Sequence, residues 1–151
     1  MKGSIDSIET LGLVDGPGIR YIVFTQGCLL RCQYCHNADT WELGKGKLMT
    51  VDEIVAEVMR DKPFYDDGGG VTLSGGEPLI HKESLEVLRK CKEGGITTAV
   101  ETCGEFSSDI IGELVPLCDT FLYDYKITDP ELHKKMTGVT NEKILKNLKA
   151  V

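Results

Sequence analysis

No apolar run in this sequence approaches the ~20 residues that a membrane-spanning helix requires, so no membrane segment is expected. The opening stretch MKGSIDSIETLG has neither an apolar h-region nor a small-residue cleavage site, and does not read as a signal peptide. Positive charge is scarce: 17 Lys and Arg stand against 24 Asp and Glu, a net charge of −7. Without a basic cluster to meet phosphates, nucleic acid is not an expected partner. The acidic residues are dispersed and read as solvated faces. Low-complexity segments and internal repeats are missing too. These absences leave a cytoplasmic globular protein of 151 residues, 41% of them hydrophobic, long enough to bury about 68–70% of its unfolded surface.

The six cysteines come without an export signal, so free thiols in a reducing compartment are expected rather than disulfides. Three of them, Cys28, Cys32 and Cys35, fall in QGCLLRCQYCHN with spacing C-x3-C-x2-C. What this motif lacks is a fourth ligand. Zinc would need one to complete its tetrahedron, and His36 is the nearest candidate. A residue directly beside a ligating cysteine rarely folds back onto the same ion. A four-iron cluster held by three thiolates would instead keep one iron open to a small molecule. Cys91 and Cys118 read as small buried hydrophobes, Cys103 as a rim position, and His81 and His133 as helix-surface residues.

Hydrophobic pattern and punctuation alternate regularly. IRYIVFTQ (19–26) is a strand-length run that ends at Gly27. Thr50 with Glu53 forms a capping box, and Ile54, Val55, Val58 and Met59 then share one helical face up to Pro63. A short strand at 71–74, a helix at 82–93 stopped by Gly94 and Gly95, and a strand at 96–102 follow. A helix at 108–117, a strand at 120–126 and helical DPELHKKM and NEKILKNLKAV complete the chain. Strand followed by helix, four times, predicts an α/β fold of βαβ units with a parallel sheet. In such folds chemistry gathers where the strands end. The cysteine loop, SGGEP (74–78), ETCG (101–104) and DYK (124–126) all stand at those ends.

Taken singly these segments are ordinary. SGGEP resembles many Gly-Pro turns, although Gly75 and Gly76 offer backbone without an obstructing Cβ. Glu101, Asp124 and Lys126 on one rim suit a zwitterionic ligand, carboxylates toward an ammonium and the lysine toward a carboxylate.

Together the residues carry a resemblance. C-x3-C-x2-C followed by GGEP after the next strand resembles the radical S-adenosylmethionine (radical SAM) superfamily. DGPGIRYIVFTQGCLLRCQYCHNADTW with GGGVTLSGGEP, and then VETCG, DYK and GVTN, is similar to the pyruvate formate-lyase activating enzymes, also called glycyl-radical enzyme activases. The resemblance implies a partial (β/α) barrel and a [4Fe-4S] cluster on Cys28, Cys32 and Cys35, with the amino and carboxylate groups of S-adenosylmethionine on the fourth iron. It implies the backbone of Ser74, Gly75, Gly76 and Glu77 at the amino group, and Lys126 near the carboxylate. Tyr34, His36 and Asn37 would hold the adenine, Glu101, Thr102 and Asp124 would match an alkali-metal cation site, and Asp15 would face the partner's glycine loop. The implied activity is reductive cleavage of S-adenosylmethionine to a 5′-deoxyadenosyl radical, which takes hydrogen from a glycine of the partner enzyme. Flavodoxin or ferredoxin would supply the electron. Residues 36–73 contain no cysteine, so no second cluster is implied. Members of the family run past position 151 by two more βα units, which makes residues 1–151 a radical SAM domain lacking those units. The activator of anaerobic ribonucleotide reductase, similarly short, and a non-catalytic metal or cluster module stand as alternatives.

Anaerobic reconstitution separates the two metal readings. About four irons per chain, with visible absorption that bleaches on reduction, is expected; stoichiometric zinc without iron would exclude the cluster.

Overall fold

The computed structural model describes residues 2–65 and 68–151. Six strands form one sheet: β1 (Lys2–Gly12), β2 (Arg20–Thr25), β3 (Lys47–Thr50), β4 (Gly70–Gly75), β5 (Thr97–Thr102) and β6 (Thr120–Tyr123), in the order β3-β1-β2-β4-β5-β6. The four strands β2, β4, β5 and β6 run parallel. The helices are α1 (Val51–Arg60), α2 (Lys82–Glu93), α3 (Ile111–Leu114), α4 (Pro130–Thr137) and α5 (Glu142–Leu148). Among the described residues no helix is long and apolar enough to cross a membrane.

The parallel strands alternate between two faces. Tyr21, Val23, Val71, Leu73 and Val100 belong to the same buried core as Ile54, Val58, Leu85, Leu88 and Cys91 of α1 and α2. The α1 terminus carries the full capping box: the Thr50 hydroxyl accepts from the Glu53 amide and the Glu53 carboxylate from the Thr50 amide. Arg20 points to the opposite face and is only 1% exposed, with no carboxylate among its hydrogen-bond partners within the described residues. Its guanidinium instead donates to Thr72 Oγ1 at 3.0 Å, Thr97 Oγ1 at 2.9 Å, the Gly68 carbonyl at 3.1 Å and the Val71 carbonyl. Such a burial is tolerable only because the donors are satisfied, and it lowers the Arg20 pKa. The connection before β2 crosses this face too, held by the Thr72 hydroxyl on the Asp15 carbonyl at 2.7 Å.

Register sets where the site can be. Arg20 pairs with Gly70 and Thr25 with Gly75; Leu73 pairs with Val100 and Thr102 with Tyr123. The four parallel strands therefore end together, and each releases its following loop onto one rim.

The sheet is larger than the alternation in the sequence suggests. β1 runs antiparallel to both β2 and β3, so an antiparallel edge adjoins the expected parallel strands. A register shift between Ile5 and Ser7 breaks the two-residue period in β1, and β3 spans four residues, too short for a periodic signal. β6 stops at Tyr123, which leaves Asp124 and Lys126 in the loop beyond it. The 108–117 segment is one turn of α-helix between two 3₁₀ turns. His133 is not a surface residue: it is fully buried, with Nδ1 on the Val139 carbonyl at 2.7 Å, because α4 packs down on its own exit loop. His81 is half-buried and its Nε2 meets the Gln26 carbonyl at 2.8 Å. Cys91 and Cys118 are buried, as expected.

Asp119 ties β5 to the start of β6: it accepts from the Thr98 amide at 2.9 Å and from Lys92 at 2.7 Å. Burial alone would push this carboxyl up, but Lys92 and the Thr98 amide and hydroxyl outweigh it and hold the pKa below its ordinary value. A depressed carboxyl adds stability above its unfolded pKa near ~3.9 and loses it as pH falls through the folded value. Asp119→Asn should therefore lower the thermal midpoint at neutral pH, with the deficit shrinking toward about pH 3. A deficit that does not change with pH would contradict this.

Candidate active site

The rim encloses a cavity of about 330 Å³. One wall is the cysteine loop, with Cys28, Cys32, Cys35, Tyr34, His36 and Asn37; the other is Ser74, Gly75, Gly76, Glu101, Thr102, Asp124 and Lys126. Every site residue singled out in the sequence lines it except Glu77 and Asp15. Leu30, Thr40, Trp41 and Cys103 line it as well, and motif spacing gave no notice of the last three.

The two walls are joined by backbone. The Glu77 amide donates to the Gly27 carbonyl at 2.8 Å and the Gly76 amide to the Thr25 carbonyl at 3.0 Å. A Cβ on Gly76 would stand 2.1 Å from the Gly27 carbonyl oxygen, so only glycine fits at that crossing. With those two amides engaged, the SGG turn can meet a ligand with carbonyl oxygens, which suits an ammonium donor.

The cysteine loop has almost no regular structure, and its shape comes from tie points. The Gly27 amide donates to the Thr40 carbonyl at 2.6 Å and the Cys28 amide to the Trp41 carbonyl at 3.3 Å. The Arg31 and Gln33 amides donate to the Thr137 and Met136 carbonyls at 2.7 and 2.9 Å. Those carbonyls belong to the last turn of α4, which would otherwise leave them unpaired. The Arg31 guanidinium donates to the Cys28 carbonyl at 2.7 Å and stacks over Trp41 at 5.4 Å, a favourable cation–π distance.

Beneath the cavity, Glu77 is turned inward and fully buried. Its carboxylate accepts from the Leu79 amide at 3.0 Å, the Thr102 hydroxyl at 2.8 Å, the Cys103 amide at 2.9 Å and the Cys103 thiol at 3.0 Å. Burial nevertheless raises its pKa. The side chain of Glu77 is thus a buried brace, and Asp15 contributes its carbonyl to Thr72, further down β4, and does not line the cavity.

The three motif thiols are free but not equivalent. Cys28 is drawn down to about 7, first by a hydrogen bond from the Cys103 thiol and then by the Leu30 amide and Arg31, against its burial. Burial raises Cys32. On the far wall Ser74 donates to Glu101 at 2.5 Å. Lys126 pairs with Asp124 and lies 6.0 Å from the Tyr34 ring centroid. Burial opposes the ammonium, but Asp124 outweighs it and raises the Lys126 pKa.

Among the described residues, no three His, Cys, Asp or Glu side chains converge tightly enough to hold a single ion. Three thiols spread along one wall of a cavity this size suit a multi-iron group instead, and the paired charges opposite suit a zwitterion. The donor set fits a thiolate-bound cluster with an amino-acid ligand.

Comparison with known proteins agrees. The family model described as the radical SAM superfamily matches residues 22–151. The pyruvate formate-lyase-activating enzyme of Staphylococcus aureus (strain USA300) is 47% identical over 154 residues, spanning 96% of this chain; the same enzyme from strain N315 matches in the same proportions. The chain spans 61% of the length of these curated relatives. Among solved structures, Streptococcus suis SuiB bound to precursor peptide SuiA superposes with a TM-score of 0.69 at 20% identity, over 85% of this chain and 28% of that one. QueE from Escherichia coli gives 0.58 at 22% identity, over 71% and 55% of the two chains. At these identities the structural likeness is one of fold. On the matched family model, the cysteine loop and the rim it faces, the chain belongs to the radical SAM superfamily.

Proposed function

We propose that this chain carries the radical-generating part of a pyruvate formate-lyase-activating enzyme. The observation that carries the reading is the convergence of Cys28, Cys32 and Cys35 with Ser74–Gly76, Glu101, Asp124 and Lys126 around one cavity, supported by the 47% identity to the Staphylococcus aureus enzyme.

Cys28, Cys32 and Cys35 would hold three irons of the cluster, and the amino and carboxylate groups of S-adenosylmethionine would take the fourth. When bound, cluster and cofactor supply one-electron cleavage of the sulfonium and hydrogen-atom abstraction from a glycine of the partner. The protein's own residues bind, orient and shield. Carbonyls of the Ser74–Glu77 turn receive the ammonium, and Lys126, held at the rim by Asp124, stands toward the carboxylate. Tyr34, His36 and Asn37 line the end of the cavity that suits a flat adenine. Glu101, Thr102 and Asp124 present the oxygen donors that an alkali-metal cation prefers. Asp15, whose carbonyl is anchored on Thr72, would face the partner's glycine loop. Trp41 and Leu30 close the cysteine side and exclude water, which keeps a carbon radical from side reactions.

The partner is a glycyl-radical enzyme, pyruvate formate-lyase by the relatives' name, and a low-potential flavodoxin or ferredoxin is the electron donor. Work of this kind belongs in the cytoplasm, and neither membrane nor nucleic acid has a part in it.

Cys32→Ala should abolish both 5′-deoxyadenosine release and the glycyl-radical signal on added pyruvate formate-lyase; survival of either signal breaks the reading. Gly76→Ala should cut iron uptake several-fold by forcing the two walls apart at the 2.1 Å contact. Iron uptake equal to that of the unmodified chain would show that the crossing does not set the site.

A further inference from the structure

Cys103 is left over by the function just described. It follows β5, is 8% exposed, lines the cavity, and packs in one buried cluster with Cys28, Leu30 and Cys32. Its amide and its thiol both donate to the same Glu77 oxygen, at 2.9 and 3.0 Å. The Cys28 sulfur belongs to the same buried cluster and stands as a second acceptor for that thiol's hydrogen. A thiol has one hydrogen, so the two acceptors share it. Glu77 does not depend on the thiol, because the Leu79 amide, the Thr102 hydroxyl and the Cys103 amide already serve it. Cys28 has one further donor, the Leu30 amide.

We propose that Cys103 is a positioning residue for the Cys28 sulfur, its single S–H held between that sulfur and the fully buried Glu77 carboxylate. The inference rests on the cluster-bearing reading above. Glu77 is fully buried, and its ionised carboxylate, unscreened, would oppose every electron added nearby. The S–H puts a positive dipole end toward Cys28 and offsets that field. Hydrogen bonds to ligand sulfurs are among the protein's levers on cluster potential. Pairing Cys103 with Cys28 therefore makes the cluster easier to reduce.

The test compares the anaerobically reconstituted unmodified chain with Cys103→Ser, which keeps a donor, and Cys103→Ala, which removes it. Iron content and the cluster midpoint potential are measured without partner or turnover. Equal iron in all three, with the potential more negative in Cys103→Ala and close to the unmodified value in Cys103→Ser, is the expected result. Iron loss in Cys103→Ala alone, with Cys103→Ser unchanged, would also support the donor role. Equal potentials throughout, or equal shifts or iron loss in both variants, would overturn it in favour of simple packing. If the unmodified chain itself fails to take up iron, the cluster-bearing reading fails and this inference with it.

Discussion

The site depends on two backbones touching. At Gly27 and Gly76 the loop after β2 and the loop after β4 approach so closely that a methyl group would collide with a carbonyl oxygen, and the Glu77 amide seals the contact at 2.8 Å. β2 and β4 are adjacent and parallel, so they deliver these loops side by side without further arrangement. Glycine at the crossing turns adjacency into contact. It brings the thiol wall and the carbonyl wall together around one cavity.

Beneath that crossing the fold places a carboxylate where carboxylates are costly. A fully buried Glu77 is tolerable because four different groups donate to it, and those groups come from its own turn and from the end of β5. The network therefore ties β4 to β5 at the rim, as Arg20 ties β2, β4 and β5 at the other end. The two buried charges divide the work: the cation closes the lower end of the inner face, and the anion stiffens the floor of the cavity.

Much of this was legible in the sequence, for reasons that also explain the remainder. β2, β4 and β5 are apolar, β-branched runs with glycine at or near their ends, and the α1 capping box is a local signal. The cysteine spacing and SGG turn are local too. The bulged β1 and the four-residue β3 carry no clean period. Glu77 and Cys103 lie 26 positions apart, and only the register of β4 and β5 joins them, so Glu77 read as part of a turn and Cys103 as a loose thiol. His133 sits in a polar octapeptide helix and is buried because α4 packs down on its own exit loop, which its polar neighbours in the sequence do not signal.

The cysteine loop shows why its thiols need not behave alike. It is tied by hydrogen bonds to the Thr40, Trp41, Met136 and Thr137 carbonyls, and such supporting contacts keep a metal site precise. Within it the Cys28 end is dry, hydrogen-bonded and backed by Glu77, while Cys35 is only half-buried. Lys126, Asp124 and the exposed Tyr34 ring stand across the cavity. The walls thus grade from a sealed, hydrogen-bonded end at Cys28 to an open, charged end at Lys126 and Asp124. On the proposed reading a three-cysteine motif is sufficient, since a fourth thiolate on the open side would occupy the position of the ligand.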